Sequence, residues 1–359
     1  MSSLINDNQK HGFWNLPKAF YSVLFIEFWE RFAFYGMQAV AVLFFIQEFN
    51  LQEKQATDLF SSFSALLYAF MVIGGCIGDF ILGLRRTYFL GILFLMVGYS
   101  SFAFISNPLM LYFSMGLILV GNIFFKTNAG NYVTRCFGKT DPRLDSAFTY
   151  FYMAINLGSF FSMIFIPFVA KYTSYSFGIG LCGGGMLIAM VSYFLLRRHF
   201  VEHDNSTDLT LALRPKEINI LTGLTGLAGI ILACLLGALL TNVVLSNFIL
   251  FILSIGVTIV YFSVMRKLDS QQKTGMKIAF VLLLQSILFW VIYMQMSTSL
   301  TLFAVHNVRN TIMGFEIPPE VTQSFNPFYI FLLSPLLVNI YGRFEKNGKG
   351  ISIPGKFAF

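Results

Sequence analysis

Four ionisable side chains stand where the surrounding sequence leaves little room for water. Glu27, Glu30 and Arg31 lie in FIEFWERFAFYGM (25–37), and Lys126 lies in GNIFFKTNAGNYV (121–133). Both segments otherwise read as membrane-spanning helix. A charged side chain at mid-bilayer costs at least about 2.5–3.5 kcal/mol, so three of them facing lipid from one helix are prohibitive. Their spacing resolves the conflict: positions i, i+3 and i+4 share one helix face and neutralise one another, and Tyr35 and Gln38 continue that face. The polar stripe must look into a helix bundle or a water-filled cavity. Two carboxylates and one guanidinium leave one negative charge over, which Lys126 cancels. A proton added to either carboxylate makes the balanced cluster +1 and frees a cation to hold an anionic group, the usual form of a proton relay. A purely structural ion pair between helices is the plainer reading of the same residues.

The elements that position these groups follow from composition. Of 359 residues, 56% are hydrophobic and 11% charged, against about 25% charged in soluble domains. Apolar runs of about 20 residues recur, each long enough to cross a hydrocarbon layer of about 30 Å. The chain is therefore an all-α polytopic membrane protein, with helices expected at about 19–47, 58–84, 88–105, 108–134, 144–170, 176–196, 217–241, 245–265, 278–305 and 323–342. With the amino terminus in the cytoplasm, inner segments hold 19 of the 24 Lys and Arg, and outer loops hold only Lys54, Lys171 and Arg309. That skew obeys the positive-inside rule, so the net charge of +7 sets topology and calls for no nucleic acid. No cleavable signal peptide is visible in the polar first 17 residues. Cys76, Cys136, Cys182 and Cys234 lack metal or redox spacing and read as buried, inert thiols. His11, His199, His203 and His306 read as solvated surface histidines.

The organisation is uneven. Six helices (1–198) are followed by a polar cytoplasmic linker (199–216) and a hairpin (217–267) without ionisable residues between Glu217 and Arg266. A helix apolar all round faces lipid or packs as filler, so this hairpin is expected to add no chemistry. The last part (268–359) is richer, with Trp290, Tyr293, Gln295 and a Ser/Thr cluster at 297–301. Gly158, Pro167, Asn326-Pro327 and Ser334-Pro335 interrupt helices, as bendable transporter helices do.

Five ordered stretches carry a resemblance. E-x-x-E-R-F-x-[YF]-Y-G at 27–36 resembles the first-helix motif of the proton-dependent oligopeptide transporters, a branch of the major facilitator superfamily. GGCIGDFILGLRRT (74–87) resembles their loop between helices two and three, and FYMAINLGS (151–159) their fifth-helix signature. FWVIYMQMSTSLTLFAVHNV (289–308) and SFNPFYIFLLSP (324–335) resemble their seventh and eighth helices, in the bacterial dipeptide/tripeptide permease type. The resemblance spans residues 17–359. It implies that the hairpin is the helix pair inserted between two six-helix halves, and that Glu27, Glu30, Arg31 and Lys126 form the proton-coupling cluster. It also implies a peptide pocket lined by Arg31, Tyr35, Tyr68, Lys126, Asn156, Trp290 and Asn326, with Lys126 meeting the peptide carboxylate and Asn156 near its amino end. Gly74, Gly75, Asp79, Arg85 and Arg86 would form a packing and gating turn. Phe34, Gln38, Thr127 and Met294 depart from the family pattern, standing for a tyrosine, an arginine, a proline and a glutamate.

The function implied is proton-coupled uptake of di- and tripeptides by alternating access in the bacterial inner membrane. Small peptides and protons would be the partners within the bilayer, with no cofactor and no metal. A different small anionic or zwitterionic cargo is the nearest alternative. A membrane enzyme or sensor lacks a nucleophile–base pair. By the same resemblance four family helices would follow Phe359, so 359 residues alone are expected to insert without transporting, and longer chains to transport.

Overall fold

The computed structural model describes residues 16–137, 141, 143–202, 204, 207–312 and 314–333. Among these, nine helices are long and apolar enough to cross a membrane. They are α1 (Lys18–Phe49), α2 (Glu53–Cys76, prolonged by a π-helical turn to Ile81), α3 (Leu84–Ser101, prolonged to Phe104), α4 (Pro108–Cys136), α5 (Leu144–Tyr172), α6 (Tyr175–Leu195), α9 (Pro215–Leu240), α10 (Val243–Arg266) and α11 (Ser270–Tyr293, prolonged to Ser297). Two short helices, α7 (Arg197–Glu202) and α8 (Asp208–Ala212), occupy the linker, and α12 (Ser299–Asn307) follows α11. The chain divides into two compact units, residues 1–248 and 249–359.

The first unit is built around α1, which packs on α5 and α6, while α3 packs on α4 and α6 and α2 on α4. Helix ends follow local chemistry. Asn107 caps α4 by accepting from the Met110 N–H at 2.9 Å with Pro108 at the first position, and Ser174 caps α6 through Phe177 at 3.1 Å. Asn50 closes α1 in the left-handed region at φ 51°. The inserted helix α9 is more than filler: its Gly229, Ala233, Leu236 and Gly237 seam is buried, and α9 packs against α4. Helix α10 is almost wholly exposed, as a lipid-facing helix would be.

The turn after α2 is shorter than the sequence indicates. Only Leu82 and Gly83 separate the π-helical turn from α3, so Arg85 and Arg86 sit in the first turn of α3 instead of in a loop. The linker also departs from expectation. Phe200 is buried among the rings of Tyr88, Tyr132 and Tyr193, at centroid distances of 5.8, 5.2 and 5.0 Å. Asp204 accepts from the Arg85 backbone N–H and Nε at 3.0 and 3.1 Å, and Thr207 donates to the Ile81 carbonyl at 3.2 Å. His199 Nδ1 lies 2.8 Å from Ser22 Oγ, so this histidine is part of the docked linker and not a solvated surface group. His11 and His203 lie outside the described residues. Phe200→Ala empties a packed aromatic site, a change that costs about 3–5 kcal/mol in cores. It is expected to lower the thermal unfolding midpoint in detergent, whereas the exposed Arg198→Ala is expected to leave it unchanged.

In the second unit the expected single helix over 278–305 is broken. After α11 the chain passes through a 3-10 turn, Met294–Ser297, and Thr298 leaves helical geometry at φ −121°, ψ −100° before α12 starts. The Ser/Thr cluster explains the break: hydroxyls offer the backbone and one another alternative hydrogen bonds. Thr301 donates to the Met296 carbonyl at 2.8 Å and accepts from Gln323 Nε2 at 2.9 Å. A two-residue antiparallel ladder pairs Thr311 with Glu316, and a 3-10 segment, Pro319–Ser324, leads into helix over 325–333. The remainder of the helix expected to 342, with Ser334-Pro335, lies outside the described residues.

Of the cysteines, Cys136 and Cys182 are buried as expected, but Cys76 and Cys234 are on the exposed outer surface of their helices. Apolar character alone did not distinguish an exposed helix face from the protein interior.

Candidate functional site

The polar stripe of α1 faces inward. Glu27 is 3% exposed, Glu30 0% and Arg31 7%, within a helix that is otherwise apolar. Arg31 Nε stands 3.1 Å from Glu27 Oε1, and the same guanidinium makes a close ion pair with Glu30. One guanidinium thus serves two carboxylates. Glu27 Oε2 and Glu30 Oε1 receive no hydrogen bond from the described residues. A buried carboxylate oxygen without a donor carries an uncompensated desolvation cost.

Lys126 takes an arrangement other than the expected ion pair. Its Nζ lies 3.6 Å from the centre of the Phe34 ring and 5.6 Å from that of Tyr68, and among the described residues it forms no salt bridge with Glu27 or Glu30. Arg31 Cζ approaches the same Phe34 ring at 5.4 Å. The two cations therefore share one aromatic ring, which attracts each electrostatically. The departure from tyrosine at position 34 retains the ring. Thr127, where proline was the family expectation, keeps a backbone N–H that proline would lack, and its hydroxyl donates to the Ile123 carbonyl at 3.1 Å.

Position is set by close helix approaches. A Cβ at Gly158 on α5 would stand 2.6 Å from the Phe28 carbonyl and 3.2 Å from Arg31 Cβ, so glycine lets α5 lie directly against the charged segment of α1. Gly158→Ala forces these helices apart. Overpacking of this kind costs about 1–3 kcal/mol, and a lowered thermal midpoint in detergent is the expected outcome. On α2, a Cβ at Gly74 would meet the Ile123 carbonyl at 1.8 Å, which brings α2 against α4 one turn before Lys126. Asn128, missed in the sequence, supports this contact by donating to the Gly74 carbonyl at 3.3 Å and the Phe124 carbonyl at 2.7 Å. It lies in the same quoted segment as Lys126, and a wholly buried amide in an apolar helix is its only signal.

The other expected residues are distributed as follows. Tyr35 is half-buried with its ring 5.3 Å from that of Phe34, and Tyr68 is half exposed beside Lys126. Asn156, on α5, donates Nδ2 to the Tyr152 carbonyl at 2.8 Å, which leaves Oδ1 as an acceptor for an ammonium group. Gly75 has room around it, with Thr127 Cβ 3.9 Å from a built Cβ. Asp79 is exposed and, among the described residues, forms no salt bridge with Arg85 or Arg86. Arg85 pairs with Asp204 of the linker, which sequence spacing gave no means of finding. In the second unit, Trp290 is exposed with its ring 5.2 Å from that of Tyr293, whose hydroxyl lies 3.4 Å from Asn326 Oδ1. Glu320, absent from the sequence expectations, is buried in the same unit as Ser297, Thr301 and Gln323.

The profile of the POT family matches residues 80–359. Dipeptide and tripeptide permease B of Xenorhabdus bovienii (strain SS-2004) is 37% identical over 349 residues, covering 97% of this chain and 70% of the permease. Dipeptide and tripeptide permease A of Yersinia pestis is 40% identical over 363 residues, covering 99% and 71%. Among solved structures, a peptide transporter POT in complex with sulfate matches with a TM-score of 0.81 at 30% identity, covering 97% of this chain and 73% of that one. Profile, relatives and helical architecture agree, and the chain belongs to the POT family of multi-pass membrane transporters, with a fold of the major facilitator type.

Proposed function

We propose that the protein is a proton-coupled symporter of di- and tripeptides, working by alternating access in the bacterial cytoplasmic membrane with its amino terminus in the cytoplasm. The observation that carries this reading is the pair of buried carboxylates sharing Arg31, each with one oxygen lacking a donor, beside a lysine held on Phe34. Protonation of Glu27 or Glu30 releases part of the guanidinium's charge, so Arg31 and Lys126 become available to a peptide carboxylate. Loss of the proton restores the ion pairs and weakens peptide binding. Asn156 Oδ1 offers a neutral acceptor for the peptide ammonium, and Tyr35 and Tyr68 give aromatic walls that tolerate varied side chains.

In this reading residues 1–198 supply the coupling site and 199–216 a cytoplasmic tie. Residues 217–267 form an inserted hairpin, and 268–359 carry Trp290 and Asn326. Gly74, Gly75, Asp79, Arg85 and Arg86 act as a packing and gating turn. No cofactor takes part beyond protons. The names of the permease relatives support peptides as cargo.

The test is proton-driven uptake of a labelled dipeptide by the whole gene product in proteoliposomes. Unlabelled di- and tripeptides, amino acids and 5-aminolevulinic acid, the ligand of a POT family transporter solved with a TM-score of 0.81 and 26% identity, serve as competitors. Inhibition by di- and tripeptides alone supports the reading, and inhibition only by non-peptide acids overturns it.

A further inference from the structure

At the end of the first unit where α3 begins and α6 ends, a cavity of about 210 Å³ opens between α3, α6 and α9. Among the described residues three arginines and no acidic residue line it. Arg85 is already engaged by Asp204. Arg86 has only a long contact of 3.5 Å to the Leu82 carbonyl, and among the described residues neither Arg86 nor Arg197 forms a salt bridge. Asp204, the acidic group near these arginines, makes its ion pair with Arg85, so the guanidiniums of Arg86 and Arg197 face the cavity without a salt bridge of their own among the described residues. Asn219 and Thr222 of α9 complete the polar wall.

The surroundings of this charge are those of an amphiphile. All three helices are long and apolar enough to cross a membrane, and the cavity lies at their ends. The rings of Phe89 and Phe194, 5.8 Å apart, form its apolar side, and Phe194 is exposed outward. Deeper along the same helices, Leu187 and Val191 of α6 and Leu224 and Leu227 of α9 are exposed apolar rows. A free phosphate would use the arginines and have no need of these rows. A phospholipid uses both. Basic pockets between transmembrane helices bind anionic headgroups for this reason.

We propose that this cavity is a binding site for the phosphodiester headgroup of an anionic phospholipid. Arg86 and Arg197 take the phosphate oxygens, Asn219 and Thr222 the headgroup hydroxyls, and the acyl chains lie along the rows of α6 and α9. The lipid ties the inserted helix α9 to the end of the bundle that carries the docked linker. This site is separate from the carboxylate cluster of α1 and stands whatever the cargo.

The test is native mass spectrometry of the delipidated whole gene product in neutral detergent, with palmitoyl-oleoyl phosphatidylglycerol or phosphatidylcholine added. Two arginines near an anionic headgroup together favour it by about 30-fold, so phosphatidylglycerol is expected to bind about 30-fold more tightly than phosphatidylcholine. Arg86→Gln with Arg197→Gln is expected to remove that preference. Asn219→Trp, which fills the cavity from an exposed position and keeps both charges, is expected to remove it too, and Arg198→Gln to retain it. Preference unchanged in both the arginine pair and Asn219→Trp overturns the proposal, as does equal binding of the two lipids by the unaltered protein. Displacement of phosphatidylglycerol by millimolar inorganic phosphate, with phosphate itself retained at the site, marks a free-phosphate site and overturns the lipid assignment. Thermal midpoints matching the unaltered protein identify the variants that count as folded.

Discussion

Replacing Lys126 with alanine is expected to abolish proton-driven peptide uptake while leaving membrane insertion and the thermal midpoint close to those of the unaltered protein. The lysine is not bound to a carboxylate. It is held 3.6 Å from the centre of Phe34, so its removal leaves no broken ion pair and the helices stay packed. What is lost is the cation that balances Glu27, Glu30 and Arg31 and that, in the proposed reading, meets the peptide carboxylate. Phe34→Leu is expected to lower uptake in the same direction by removing the ring that positions the lysine. Phe34→Tyr, which keeps the ring, is expected to retain uptake. Normal dipeptide accumulation by Lys126→Ala would remove the lysine from the mechanism.

Glu30→Gln is expected to separate transport from proton coupling. Glu30 is fully buried and bound to Arg31, and glutamine keeps the shape of the side chain while carrying no exchangeable acidic proton. Accumulation against a gradient should disappear, while exchange of labelled for unlabelled peptide across the membrane persists. For one proton per peptide, each pH unit of imposed gradient is worth about 1.4 kcal/mol, or about tenfold accumulation, and that factor is what the variant is expected to lose. Glu27→Gln should behave similarly through its 3.1 Å contact with Arg31. Full accumulation by both single variants and by their combination would move the coupling site elsewhere.

Much of this architecture is legible in the sequence because a membrane restricts the choices. Long apolar runs can only be helices there, and the i, i+3, i+4 placement of Glu27, Glu30 and Arg31 forces an inward face. The structure buries all three on α1. Helix ends are less legible where they depend on contacts made elsewhere in the chain. Arg85 joins α3 because Asp204, 119 residues later, accepts from its backbone N–H. The docking of Phe200 needs Tyr88, Tyr132 and Tyr193 to converge from three other helices, and no local pattern announces that. The Ser/Thr cluster after α11 stands in the sequence, but the break in the helix depends on Gln323 reaching back to Thr301. Lys126 shows the same limit at the site itself. Charge balance groups Lys126 with Glu27, Glu30 and Arg31, and the geometry sets both cations against the Phe34 ring.

The central claim is that peptide and proton cross together. The direct measurement is internal pH, read by a trapped dye in proteoliposomes holding the whole gene product, with a membrane potential negative inside and no initial pH gradient. Addition of dipeptide is expected to acidify the lumen at once, and the signal is expected to be absent with Glu30→Gln and with Lys126→Ala. Peptide entering the liposomes with no change in internal pH would contradict the account.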